Sequence, residues 1–388
     1  MHHNDEDLPL HGLTVLDLSQ GIAGPHCGLL LRQQGARVIK VEPPHGDWSR
    51  QMGRARAGHT AISVAYNLGK ESVVLDTRTE PGRAALRRLA TQADVVVQNY
   101  RPGVVERMGV GHAELAAQRP GLVYVSISGH GATGPDAQLP ALDTTMQAAT
   151  GLMHLNRDAT GAPRRIGLFL VDIATGLQAA QNAMAALVRA ARTGQGRHVQ
   201  VSMLETAAAL QSYVVLDAAM FPQAEAAAFN VPTGLFRASD GHLYVSMLDD
   251  AMFRRLAEAL DRHDWLADPA LATSAGRIPR ALELNGALAS QIATQTVADW
   301  EALLRRHDVL HARAARPQDL PQSPQARHAG VFAPLEVPGL GTLDWPNMPG
   351  QAGRAPHGDA PLLGQHTQAV LEEFGIAPAA GQGAAAAG

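Results

Sequence analysis

The sequence predicts an α/β protein: a Rossmann-like, doubly wound parallel sheet in a large domain, followed by a smaller α+β domain. Three observations predict it. Short apolar runs alternate with helical segments from Leu13 to Ser128, a glycine-bearing turn follows the first run, and beyond Phe221 the style changes to a hairpin and amphipathic helices. Strands separated by helical crossovers return the chain to the same sheet edge, so they pair in parallel and present their connecting loops at the carboxyl ends, where such sheets bind ligands.

Each element has its own justification. From Leu13, "LTVLDLSQGIAGPHCGLLLRQQGARVIKVE" reads as strand, turn, helix and strand, with Pro25 suited to a first helical turn and Gly35 to a left-handed cap. "SVVLD" (72–76) is a strand, and Thr79 and Pro81 open the helix "TEPGRAALRRLATQA". "DVVVQNY" (94–100) and "LVYVSIS" (122–128) are strands on either side of the helical "HAELAAQ". From Ile166, "IGLFLVD" reads as a buried strand ending at Asp172, after which a small-residue helix runs to about Arg192. "TGQGR" breaks that helix, "HVQVS" is a strand, and "MLETAAALQSYVVLDAAMF" (203–221) reads as one long helix. A loop between Pro222 and Pro232 marks a domain boundary. The hairpin "LFRASDGHLYVSM" turns at Asp240-Gly241, and helices are expected near 249–261, 280–293 and 296–308. "VFAPLEVPGLGTLDW" suggests paired strands and "HTQAVLEEFG" a final helix. The domains therefore read as 8–222, completed by a segment of about 330–376, and 230–320, with a low-complexity tail over 377–388 expected to be disordered.

Composition narrows the function. The chain has 388 residues, 46% hydrophobic and 18% charged, with net charge −4, which is ordinary globular composition without the basic field that nucleic acid or an anionic membrane would require. No apolar run reaches the ~20 residues of a membrane span. The start "MHHNDEDLPLHG" is polar where a signal peptide would be apolar, and the lone Cys27 has no internal disulfide partner, so a cytoplasmic protein is expected. Its partner is expected to be a small molecule, not nucleic acid and not a membrane.

Several residues are candidates for chemistry. The turn "GIAGPHCG" holds Gly21, Gly24 and Gly28, with Glu42 about a dinucleotide motif's distance downstream, but Ile22 and Ala23 stand where a pyrophosphate would need a second glycine. Glu42 reads more plainly as a solvated strand end. Cys27 shares helical spacing with Leu30 and Leu31 and reads as core. His130, His154 and His198 lack metal-ligand spacing, so no metal is expected, and no G-x-S-x-G elbow is present. Arg78 follows one strand while Arg101 and Arg107 follow the next; guanidinium forks there would suit phosphate, although on spacing alone a solvated face is the favoured explanation. Asp172 can cap the helix that follows it, or act as a nucleophile with helix N–H groups steadying the charge that develops on a carbonyl.

Taken together, "GLTVLDLSQGIAGPHCGLLLRQQGARVIKVEPPHGD", "YNLGKESVVLDTRTEPGR", "ADVVVQNYRPGVVERMG", "LVYVSISGHGATGP", "LDTTMQAATGLM" and "LVDIATGLQAAQNAMAALVRAARTGQGRHVQVSMLE" resemble, in order, the family III CoA transferases, also called the CaiB/BaiF family. The resemblance covers about residues 10–206. It implies that Asp172, in "VDIATG", is the nucleophile of a CoA transfer between carboxylic acids, passing through aspartyl mixed anhydrides and an aspartyl-CoA thioester. It implies coenzyme A as co-substrate, held by Ile22 and Ala23, by Leu75, Asp76, Thr77 and Arg78, by Asn99, Tyr100 and Arg101, and by Arg107. It also implies an interlocked homodimer whose partners are acyl-CoA and a carboxylic acid. The chain departs from the family at Leu142, where many members carry a tyrosine before the acid matching Asp143, and at His130, where an aromatic residue is usual. "FPQAEAAAFNVPTG" contains no glycine-rich run like the loop of the formyl-CoA enzyme. Two other readings stay open on sequence: an α-methylacyl-CoA racemase, for which "ALDTTMQ" lacks the expected histidine, and a CoA-binding protein without catalysis.

Overall fold

A computed structural model describes residues 7–158, 160–222, 230–350 and 358–377. The expected tail therefore lies almost wholly outside the described residues, as does most of the loop after Pro222. The chain forms two units, 1–215 with 327–388, and 216–326.

The first unit is built on six strands: β1 (Thr14–Asp17), β2 (Arg37–Glu42), β3 (Glu71–Val74), β4 (Val95–Gln98), β5 (Val123–Ser128) and β6 (Arg197–Ser202). All pair in parallel, in the order β3-β2-β1-β4-β5-β6. That is the doubly wound order, and the winding reverses between β1 and β4. The central strands are buried along their length, as in Val95–Gln98, because helices cover both faces. On one face α1 (Ala23–Gln33) and the long α6 (Leu170–Thr193) enclose Val15, Cys27, Leu31, Val97, Ala179 and Ala183. On the other, α3 (Glu80–Ala90) and α4 (His112–Gln118) cover Leu16, Val41, Val96 and Tyr124.

The C-terminal segment returns to this unit. Its helix α12 (Thr367–Glu373) adds Val370 and Leu371 to the second core, and Thr367 Oγ1 and His366 Nδ1 accept from the free edge of β3 at Val74 N–H (3.0 Å) and Ser72 N–H (3.1 Å). An otherwise open strand edge is thereby closed. The second unit holds an antiparallel three-stranded sheet, with β7 (Gly234–Arg237), β8 (His242–Ser246) and β9 (Leu310–Arg313) in the order β9-β8-β7, packed on Phe253, Leu256, Leu288 and Trp300.

Three expectations are corrected. Residues 166–169 pair with no strand, and α6 already begins at Leu170, because Ile166 N–H donates to the Gln147 side chain (2.8 Å) and Leu168 is 49% exposed rather than buried in a sheet. The helix expected over 203–221 is two helices, α7 (Met203–Leu210) and α8 (Ser212–Met220), broken at Gln211, whose side chain reaches the Thr150 carbonyl (2.9 Å). Glu42 is neither a solvated strand end nor a ribose ligand: it is 1% exposed and grips Arg50 through two 2.7 Å bonds and Ser72 through another. Burial raises its pKa, but Arg50 and Lys40 outweigh that and carry it down to about 2.

Candidate active site

The carboxyl ends of β1 and β4 meet at the winding reversal, and the turn after β1 is held there by packing. Gly21 has φ +82°, and a Cβ on it would lie 2.1 Å from the Trp48 ring; on Gly24 it would lie 2.2 Å from Ser19 Cβ. These glycines serve close packing of the turn. Asp47 receives Gly21 N–H (2.9 Å) and pairs with Lys40 (3.0 Å), both side chains fully enclosed. Asn99 links the turn to β4, donating to the Gln20 carbonyl (2.7 Å) and accepting its N–H (2.9 Å).

The residues expected to hold CoA gather along this edge. Ile22 and Ala23 are buried where α1 begins. Leu75 and Thr77 line a small crevice with Tyr100, and Asn99, Tyr100 and Arg101 line a cavity of about 370 Å³ that reaches Leu142. Arg78 is exposed and engaged by Asp76 through two 2.8 Å bonds. Arg107 ends the helical turn Val104–Arg107.

Asp172 is the third residue of α6, within its first turn rather than at its cap. The capping is done from elsewhere in the chain. Asp143, the first residue of α5 (Asp143–Ala149), is 2% exposed and accepts the N–H groups of Val171 (2.8 Å) and Asp172 (3.1 Å) through Oδ2, while Oδ1 accepts Gln147 Nε2 (2.6 Å). Both corrections to Asp172 follow. It is not the N-cap, and the Val171 and Asp172 amides are occupied by Asp143, so they are not free to steady an oxyanion. The Asp172 carboxylate itself has no hydrogen-bond or ion-pair partner among the described residues. Burial, then the negative charge of Asp143, raises its pKa to about 7.

Sequence reasoning missed the groups around it. His26, on α1, donates from Nδ1 to the Ile173 carbonyl (3.1 Å), a tautomer assigned because a carbonyl can only accept. Burial lowers its pKa to about 4, keeping it neutral. Its ring meets Tyr66 edge-to-face at 5.4 Å, and Tyr66 is raised by burial and then by the Asp172 and Asp143 charges. Gly176 permits the approach, since a Cβ there would lie 2.7 Å from the Ala23 carbonyl and 2.8 Å from His26 Cβ. The small residue one turn after Asp172 was the available signal for this contact. Among the described residues no group of three or more His, Cys, Asp or Glu side chains is placed to hold a metal, and no helix is long and apolar enough to cross a membrane.

A doubly wound sheet with ligand-lining loops at its reversal point defines the class of α/β proteins that bind nucleotide-bearing molecules at the carboxyl edge. The chain belongs to CoA-transferase family III, whose model matches residues 10–367. It is 30% identical to the human succinyl-CoA:glutarate CoA-transferase over 94% of this chain and 86% of that protein. It is 32% identical to the acetyl-CoA:oxalate CoA-transferase of Acetobacter aceti over 94% and 96%. Its fold matches that of a CAIB/BAIF family protein from Brucella suis with a TM-score of 0.84 at 30% identity, covering 95% of this chain and 99% of that one. This chain is accordingly a CoA-transferase.

Proposed function

We propose that this enzyme moves CoA from an acyl-CoA thioester to a free carboxylic acid with Asp172 as nucleophile. The observation that carries the reading is an unpartnered, largely desolvated carboxylate in the first turn of α6, with its pKa raised to about 7. Such an oxygen is more basic than a solvated carboxylate and is not restrained by a cap. It attacks the thioester carbonyl, the C–S bond breaks, and an aspartyl-acyl anhydride and CoA thiolate result. The thiolate attacks the aspartyl carbonyl, releasing the donor acid and leaving an aspartyl-CoA thioester. The acceptor carboxylate displaces the thiolate to form a second anhydride, and the thiolate takes the new acyl group, regenerating Asp172. The thioester bond energy is retained throughout.

In this reading CoA lies along the carboxyl edge of the sheet, past Ile22, Ala23, Leu75, Asp76, Thr77 and Arg78, then Asn99, Tyr100 and Arg101, with Arg107 beside the phosphates. Arg78 must share its guanidinium between Asp76 and the phosphate. The names of the relatives, with succinyl-CoA, glutarate, acetyl-CoA and oxalate among their substrates, support transfer between carboxylic acids. A second copy of the chain completes the enzyme, supported by large apolar side chains left exposed on and near α6, among them Leu177 (48%), Val188 (52%), Tyr213 (66%) and Val215 (58%). To test the chemistry, the protein is incubated with acyl-CoA and hydroxylamine and digested. A hydroxamate on Asp172 is expected by mass spectrometry, together with a rate loss of several powers of ten in Asp172→Ala. Full transfer by that variant would end the proposal.

A further inference from the structure

Behind the carboxyl edge of β1 and β2 lies a layer of ionised side chains shut away from water. Lys40 and Glu42 are 1% exposed, Asp47 is fully enclosed, and the Arg50 side chain is 8% exposed. Taking such charges out of water is costly, and well-packed apolar side chains of similar volume are often at least as stabilising. What the charges add here is fixed geometry. Lys40 Nζ donates to the Ser19 carbonyl (2.6 Å) and pairs with Asp47 (3.0 Å), and Asp47 accepts Gly21 N–H through both of its oxygens (2.9 and 3.2 Å). The turn that carries Ile22 and Ala23 is therefore gripped at two backbone points.

Glu42 stands one step further from the turn. Its Oε2 accepts Asp47 N–H (3.0 Å) and Arg50 Nε (2.7 Å), and its Oε1 accepts Arg50 Nη2 (2.7 Å) and Ser72 Oγ (2.7 Å). Both of these partners are also bound by the C-terminal segment. Arg50 Nη1 donates to the Pro361 carbonyl (3.1 Å), 311 positions away, and Ser72 Oγ accepts Gly364 N–H (2.8 Å). An unbroken chain of hydrogen bonds thus runs from residues 361–364 through Glu42 and Asp47 to the Gly21 amide. Burial opposes ionisation of both Glu42 and Lys40, but the neighbouring opposite charges outweigh it, lowering Glu42 and raising Lys40, so the layer keeps its charges across the neutral range.

We propose that Glu42, Arg50 and Ser72 are positioning residues for CoA: they carry the anchoring of the C-terminal segment to the turn at Gly21–Ala23, so that CoA affinity depends on residues 361–364 acting through Glu42. The inference rests on the reading that CoA lies along this edge, and not on Asp172 as nucleophile. Ser72→Ala cuts one link with little change of shape. Arg50→Lys keeps a positive charge beside Glu42 but loses the fork that spans Glu42 and Pro361. Binding of free CoA is measured by calorimetry on the full chain, with urea melts to establish folding. Each single variant should weaken CoA about threefold and the double variant about tenfold, the scale of one or two lost hydrogen bonds. With succinyl-CoA and glutarate as probes, KM for the thioester should rise while kcat stays within about twofold, as for a loss of binding that ground and transition states share. Arg37→Gln is the control, because it releases Glu71 and Glu373 and loosens the same segment away from Glu42. It should lower stability and leave CoA affinity within about twofold. Unchanged CoA affinity in the double variant overturns the inference, and should that variant fail to fold, the single variants decide it in the same way. A loss of affinity matched by Arg37→Gln, or a fall in kcat with KM unchanged, overturns it as well. A wild-type chain that binds no CoA takes down the placement of CoA and this inference together. The fate of Asp172→Ala does not bear on it, since free CoA is the probe.

Discussion

A single carboxyl group sets the pH behaviour expected of this enzyme. Only ionised Asp172 attacks a thioester, so kcat/KM should rise with pH and level off above about 7, where its pKa lies. Asp143→Asn removes the neighbouring negative charge while keeping an acceptor for the α6 amides. The inflection in the pH–rate profile should then move to lower pH; a profile that stays in place would show that Asp143 does not tune the nucleophile. The same group has a sign in stability. Its pKa is raised from 3.8 to about 7, so between those values the folded chain holds a proton that the unfolded chain has released, and stability falls as pH rises through that window. The loss is about 4 kcal/mol at most, less where solvent reaches the group. Asp172→Asn should remove this slope, so the variant gains on the wild type at pH 8 relative to pH 4 in urea melts. Parallel melts at both pH values would contradict the raised pKa.

At the scale of elements, the site depends on how closely α1 and α6 approach. Gly176 is a point of close contact between them, and a methyl group there would lie 2.7 Å from the Ala23 carbonyl. Alanine gains roughly 1 kcal/mol of helix propensity over glycine, but overpacking against a fixed backbone carbonyl costs about 1–3 kcal/mol. Gly176→Ala should therefore be net destabilising and, because the helices separate at the His26–Ile173 contact, should lower kcat more than it raises KM for CoA. A variant as stable and as active as the wild type would show that this contact is slack. The capping of α6 belongs to the same scale. A helix that begins without a side-chain cap of its own at Phe169 borrows one from Asp143, and that arrangement leaves Asp172 free for chemistry.

For the whole molecule, the expected assembly has a direct measurement. Light scattering should give twice the 40.9 kDa chain mass, because apolar side chains as exposed as Tyr213 and Val215 are covered in a stable protein. A monomer at micromolar concentration with full activity would refute the dimer.

The alternation of apolar runs and crossovers made the order of strands and helices readable in advance, since each element's period is written within a few residues of itself. The place of Asp172 in the chain, the arginines at the strand ends and the core role of Cys27 were readable in the same way, and Cys27 is fully buried. What tertiary structure alone decided is which partner each group finds. Asp143 reaches Val171 and Asp172 across 28 and 29 residues of chain, His26 meets Ile173 across 147, and Ser72 meets the C-terminal segment across 292. Local pattern made Asp172 a cap and Glu42 a solvated strand end. Long-range contacts made the first a free nucleophile candidate and the second a buried brace, because burial and charge pairing are properties of neighbours in space, which no local window of sequence contains.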